Sequence, residues 1–433
     1  MITFTHTADI HFGVENYGRI DPKTGIHTRL LDFHKALSFC IDYTIAHQHD
    51  LFIFAGDAYK TANPSPTQQK LLLQCFLKLY KANIPVVIVV GNHDNPLSFG
   101  KANALDLFSD LPVDGFYVIN KPQSLNLITK NGPVQIVGIP WPTRNTISIS
   151  NRYIYQSAEK ITEHIAQSVG NIIQHLASKL DPNLPAILTG HLTVSSGIFS
   201  GSEKRAIYGT DPVLLPSQLA IAPFDYVALG HLHRYQNLNS EPGGIPIVYA
   251  GSIERVDFGE RKEDKGFCVV TIPDKTPNKS INKTQANTLD KSPSSLPERL
   301  PVTCEFVKTP MRPMIQLDIE LHDQADQTEQ ILAKIKQVDL RDAIVKIKYY
   351  LPENLKSNLN LRAITQACAT AMELVGVFPV QKISLRPARS VANSEMDLAQ
   401  LLKNYFTGKQ LSAAKQASLI SKTLDLQDDL NNL

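Results

Sequence analysis

The residues able to do metal chemistry occur in short polar clusters. Asp9 and His11 stand in "ADIH", Asp57 in "GD", Asn92, His93 and Asp94 in "GNHD", His191 in "TGH", and His231 and His233 in "ALGHLH". Imidazoles, carboxylates and one amide oxygen form a mixed nitrogen and oxygen donor set, suited to manganese, iron or zinc rather than to calcium. The five cysteines lie far apart with no CxxC pair, which disfavours a structural zinc and a disulfide framework and leaves them as buried packing residues. The donors exceed what one ion needs. A carboxylate can bridge two ions, and ions roughly 3.5 to 4 Å apart clamp the attacking and leaving oxygens of a phosphoryl displacement. The arithmetic points to a binuclear site.

Each cluster follows an apolar run that reads as a strand: "TFTHTAD", "DLFIFAGD", "IPVVIVV", "PAILTG" and "FDYVALG", with "IPIVYAG" a further strand. Helical stripes alternate with them. Leu30, Phe33, Leu37, Ile41 and Ile45 share one face; Ile161, Ile165, Val169, Ile172, Leu176 and Leu180 share another. Ser65, Pro66 and Gln68 predict a capped helix start. Alternating strands and helices up to about residue 272 predict a layered α/β domain, whose strand carboxyl ends converge on one crevice. A single histidine after a strand is ordinarily a satisfied loop or core residue, and His6, His34, His47 and His49 are read that way. Five polar endings in order, each after an apolar strand, outweigh that reading for the others.

A chain of 433 residues can bury one large core and a smaller second one. Between residues 273 and 310 the texture turns to Pro, Lys, Asn, Ser and Thr, which predicts a linker or surface insertion. Residues 311–390 read as a small β-α-β-α-β capping domain: "MIQLDIEL", a helix around 327–338, "AIVKIKYY", a helix around 359–374, and "KISLRP" as the last strand. Residues 391–433 carry two helical stretches, packed on their own domain or available as a partner dock. A net charge of +2 gives no global reason to bind nucleic acid. The first residues carry no secretory signal and no run is long enough to span a membrane, so a cytoplasmic protein without a membrane partner is expected. The absence of a G-x-x-x-x-G-K-[ST] loop assigns any ATP binding to a partner.

"DIH", "GD", "GNHD", "GH" and "GHLH", in this order, resemble the calcineurin-like metallophosphoesterases. "HTADIHFG", "GDAYKTANPS", "ALGHLHRYQ" and "YAGSIERVDFGE" narrow the resemblance to SbcD-like nuclease subunits, which pair with an SbcC-like ATPase in DNA double-strand-break repair. It covers the chain from Met1 to about Gly266. The resemblance implies a four-layer αββα sandwich over residues 1–272, a capping domain and C-terminal helices. It implies two divalent ions, expected to be Mn2+, one held by Asp9, His11 and His233, the other by Asn92, His191 and His231, with Asp57 bridging. His93 then protonates the leaving oxygen and Asp94 orients its imidazole. The implied activity is exonuclease and endonuclease cleavage of DNA by two-metal in-line attack, in a nucleoid-associated complex built on a homodimer. The rival is a phosphatase or phosphodiesterase of the same superfamily acting on a non-DNA substrate. Lys60, in "GDAYK", stands where archaeal members often carry a histidine; it is read as a contact to a DNA phosphate or as a solvated loop lysine.

Overall fold

A computed structural model describes residues 1–96, 102–143, 157–201, 211–275, 301–322, 326–351, 356–381, 398–408 and 412–431. The chain divides into two compact units: the first comprises Met1–Ile315, Leu340–Val345 and Thr370–Val375, and the second Gln316–Asp339, Lys346–Ala369 and Gly376–Leu433.

The first unit opens with β1 (Ile2–Thr7), α1 (Thr28–Ala46), β2 (Leu51–Phe54), α2 (Pro66–Lys81), β3 (Val86–Val89), α3 (Leu107–Asp110) and β4 (Phe116–Ile119). A hairpin of β5 (Gln123–Thr129) and β6 (Gly132–Ile139) follows, then α4 (Ala158–Ala177), β7 (Ala186–His191), β8 (Thr193–Val194) and β9 (Val213–Leu214). The unit continues with α5 (Pro216–Leu219), β10 (Tyr226–Gly230), β11 (Gln236–Asn237), β12 (Ile247–Tyr249), β13 (Gly266–Ile272) and β14 (Thr303–Lys308). Two six-stranded sheets result, in the orders β14-β13-β1-β2-β3-β4 and β11-β12-β10-β7-β6-β5.

Burial explains the layering. "LFIF" of β2 and "VVIV" of β3 are apolar at every position because both their faces are covered. Phe4, Ile53 and Val87 of one sheet pack against Ile136, Ile187 and Ala228 of the other, forming the central layer contact. Outside the first sheet, Leu30, Phe33, Leu37 and Ile41 of α1 pack with Leu72 and Phe76 of α2. Ile161, Ile165, Val169 and Ile173 of α4 cover the second sheet. The result is the four-layer αββα sandwich. The capping box forms as expected, with the Gln68 N–H donating to Ser65 Oγ at 3.3 Å and the Ser65 N–H to Gln68 Oε1 at 2.9 Å. Strands β1 to β4 run parallel, as do β12, β10, β7 and β6, so their carboxyl ends carry the polar clusters.

Four expectations need correction. The segment 273–310 is not all linker: Thr303–Lys308 adds β14 antiparallel to β13, with Thr303 opposite Thr271 and Lys308 opposite Gly266. An edge strand needs only one covered face, so its weak apolar content hid it. The segment after β14 also stays with the first unit, because Arg312 donates two hydrogen bonds to the Asp32 carboxylate, at 2.7 and 2.6 Å. In the second region, the expected helix around 359–374 ends early, as α7 (Leu361–Ala367), and the third strand is β17 (Glu373–Gln381) rather than "KISLRP". "KISLRP" lies outside the described residues. Val375 and Val377 alternate along β17, a period of two that the preceding helical pattern masked.

The small sheet runs β15 (Met314–Glu320), β16 (Ile344–Leu351), β17, accompanied by α6 (Gln327–Ile335) packed against α7. The tail forms α8 (Leu398–Gly408) and α9 (Ala413–Asn431), which pack on each other. Cys40, Cys75, Cys268 and Cys368 are buried, Cys304 is half-buried, and all five are free. Among the described residues no helix is long and apolar enough to cross a membrane.

Candidate metal centre

The carboxyl ends of β1, β2 and β3 meet those of β7 and β10 where the backbones almost touch. A Cβ on Gly230 would strike the Ala55 carbonyl, and one on Gly91 would strike the Asp57 carboxylate, so glycine at both positions sets how closely the loops approach. Main-chain hydrogen bonds lock the loops: Asp9 N–H donates to Gly56 O at 2.9 Å and His11 N–H to Asp57 O at 3.0 Å. Eight non-glycine residues among those described have positive φ, and four of them are candidate ligands: Asp9 (52°), His11 (50°), Asp57 (60°) and His231 (104°). Such backbone costs about 1–3 kcal/mol per residue and persists where the surroundings over-determine it, typically at functional sites.

Two nests of donors result. In one, His11 Nε2 and His233 Nε2 face each other at 2.9 Å, and Asp9 lies within ligand reach of both. In the other, Asn92 Oδ1 is 2.9 Å from His191 Nε2 and 3.2 Å from His231 Nδ1. Asp57 sits between them, its Oδ2 3.7 Å from His11 Nε2 and 3.4 Å from His191 Nε2. Donor atoms converging in this way fit two cations sharing a carboxylate, and the His11 Nδ1 is buried without a hydrogen bond, so nothing in the protein fixes the tautomer of this imidazole. Asp9 is less exclusive than expected, since it also groups with Asp57 and His191.

The calcineurin-like phosphoesterase family model matches residues 2–235, the stretch that holds every one of these donors. The chain belongs to that family. Calcineurin-like phosphoesterases are hydrolases of phosphoester bonds, and their fold binds divalent metals. Similar solved structures include a dimetal phosphatase from Danio rerio, at 10% identity over 62% of this chain and 92% of that one, with a TM-score of 0.33. Another is the protein TT1561 of Thermus thermophilus, at 11% identity over 58% of this chain and 90% of that one, TM-score 0.33. The purple acid phosphatase PPD1 from yellow lupin (Lupinus luteus) seeds is 12% identical over 63% of this chain and 50% of its own, TM-score 0.38.

Electrostatics of the phosphoesterase site centre on Asp57. Burial opposes its ionisation, but the His191 and His11 imidazoles hold its carboxyl well below the ordinary carboxylate range. Burial pushes His191 down and Asp57 more than reverses this, raising it to about 9. His93 is half-buried at the rim, with its ring edge-on to His11 at 5.0 Å between centroids and within ligand reach of His11 and Asp57. The His93 main-chain N–H donates to Asp57 Oδ1 at 2.9 Å.

Asp94 does not orient His93. Its Oδ2 accepts the N–H groups of Asp57 (2.9 Å), Ala58 (3.2 Å) and Gly91 (3.0 Å), and its Oδ1 that of Tyr59 (3.1 Å), so its acceptor capacity goes to the backbone. The imidazole is held instead by the main-chain carbonyl of Lys60, 2.9 Å from His93 Nδ1. The Lys60 side chain is exposed.

Sequence reasoning also passed over several contributors. Glu260 lies 2.8 Å from His233 Nδ1, Asp211 lies 3.4 Å from His231 Nε2, the Ala55 carbonyl lies 2.8 Å from His191 Nδ1, and the Trp141 ring is tilted 36° to the His231 ring with 4.8 Å between centroids. Glu260 stood inside the quoted "GSIERVDFGE" run, but nothing local in that run points to a histidine 27 positions upstream.

Proposed function

We propose that this chain is an SbcD-like, metal-dependent DNA nuclease, hydrolysing phosphodiester bonds at DNA ends or hairpins and acting with an SbcC-like ATPase. The observation that carries the hydrolytic part is the pair of donor nests around Asp57, with His93 beside them at the rim. The DNA part rests on the sequence resemblance, above all on "YAGSIERVDFGE".

In this reading Asp9, His11 and His233 hold one ion, Asn92, His191 and His231 the other, and Asp57 both. Two divalent ions, Mn2+ in this reading, would supply positive charge to the phosphoryl oxygens and acidify the attacking water. His93 donates Nδ1–H to Lys60 O, which leaves Nε2 as the ring nitrogen available to a substrate. Burial pulls its pKa down against the pull of Asp57, so the free enzyme favours the neutral ring. A phosphodiester's negative charge beside Nε2 favours protonation, so the acid form arises in the complex, where it can protonate the leaving oxygen.

The test is Mn2+-supplemented digestion of linear duplex DNA with free and blocked ends, with and without ATP and the partner. Degradation abolished by His93→Gln, while Mn2+ binding is retained, is the expected result. Hydrolysis of a generic phosphomonoester without DNA cleavage would replace the nuclease reading with a phosphatase. The tail helices α8 and α9 are the proposed partner dock; equal co-purification of the ATPase after removal of residues beyond Asn393 would discard that assignment.

A further inference from the structure

We infer that Glu260 is a positioning residue for His233, fixing the imidazole in the tautomer that a metal ion requires, and that Lys265 is the buried counter-cation that keeps Glu260 aimed. This rests on the reading of Asp9, His11 and His233 as a metal nest. Glu260 ends a short 3-10 turn, Phe258–Glu260, that Asp257 caps through the Gly259 N–H. Its Oε1 lies 2.8 Å from His233 Nδ1, which assigns the ring proton to Nδ1 and leaves the lone pair on Nε2, the atom that faces His11. Its Oε2 accepts the Val256 N–H at 2.8 Å and lies 3.0 Å from Lys265 Nζ. Lys265 Nζ in turn donates to the main-chain carbonyl of His233 at 2.7 Å and to Glu263 at 3.1 Å. One ammonium therefore ties down both ends of the same histidine, directly at its backbone and through Glu260 at its ring.

The cost of this arrangement argues for a specific use. Glu260 and Lys265 are fully buried, at 0% exposure each, and removing two charges from water costs several kcal/mol per ion before pairing offsets it. An apolar pair would fill the space without that cost, but it could not hold Nδ1–H. A carboxylate behind a ligating imidazole also raises the ligand's basicity, and removing such a partner weakens metal affinity by roughly 10 to 100-fold. In Glu260→Gln the amide NH2 must face either His233 Nδ1 or the Val256 N–H and Lys265 donors; turning it toward His233 favours the wrong tautomer.

The experiment titrates Mn2+ into the full chain with two readouts. Electron paramagnetic resonance counts bound ions, while quenching of Trp141, the single tryptophan, reports the nest beside His231 and His191. For Glu260→Gln we expect an unchanged Trp141 titration and a second ion weakened roughly 10 to 100-fold. Wild-type affinity for both ions would overturn the inference, as would equal weakening of both with a lowered melting temperature, the mark of a merely structural role. Should that variant not fold, the charge-balanced Glu260→Gln/Lys265→Gln variant must show the same one-sided loss, and wild-type affinity there overturns the inference equally. Failure of the unsubstituted chain to bind Mn2+ would overturn the metal-centre reading itself, and is recognisable before any substitution is made.

Discussion

Asp94→Asn separates two roles for the residue after His93. Four backbone N–H groups, from Asp57, Ala58, Tyr59 and Gly91, converge on the Asp94 carboxylate, which is fully buried. Asparagine keeps one carbonyl oxygen. Placed at the Oδ2 position it retains three of these bonds, and its NH2 then meets the Tyr59 N–H donor to donor. Losing one charge-assisted bond and leaving that donor unpaired costs about 2–4 kcal/mol. For a unit of more than 300 residues about 3 kcal/mol lowers the melting temperature by roughly 4–5 °C. Because the same carboxylate ties the loop after β2 to the loop after β3, Mn2+ affinity should fall with stability. The assay is thermal unfolding by circular dichroism alongside Mn2+ titration and turnover, compared with His93→Gln. Wild-type melting and Mn2+ affinity combined with a turnover loss equal to that of His93→Gln would refute this account, and would return Asp94 to the role of aligning the imidazole.

Further outcomes follow from other residues. Gly91→Ala drives a Cβ into the Asp57 carboxylate, so binding of both Mn2+ ions should be lost in calorimetry. Lys60→Ala leaves the carbonyl that holds His93 intact; turnover of a small phosphodiester should stay unchanged, while the salt slope of DNA binding should shrink by about one unit if the side chain meets a phosphate. His6 is buried between Tyr226 Oη and the Leu229 carbonyl, and burial lowers its pKa from 6.5 to about 3. The unfolded chain therefore binds the extra proton first, so stability from this group is complete above pH 6.5 and is lost as pH falls toward about 3. The loss totals about 5 kcal/mol across that window, and His6→Gln should flatten the slope in urea unfolding measured from pH 7 to pH 4.

Local chemistry was enough to read much of this protein. Runs such as "VVIV" must be buried strands because no half-exposed element tolerates them, and the polar cluster after each run marks its carboxyl end. Strand alternation with capped, striped helices dictates layers, and donor types limit the metals. Where the signal weakened, the reading slipped: β14 lies on an edge with few apolar residues, and the period of two in β17 is masked by the helical pattern directly before it.

Only the tertiary structure assigned the partners of each side chain. "GNHD" gives Asp94 beside His93 in sequence, but the carboxylate turns to four N–H groups of two loops, and the imidazole takes the Lys60 carbonyl, 33 positions away. Glu260 and Lys265 reach His233 because β13 brings Lys265 back beside β1. Hydrogen bonds are satisfied by whatever donor or acceptor the fold brings within about 3 Å, whatever its distance along the chain, so sequence can name the chemical groups but the packing of the two sheets decides which ones meet.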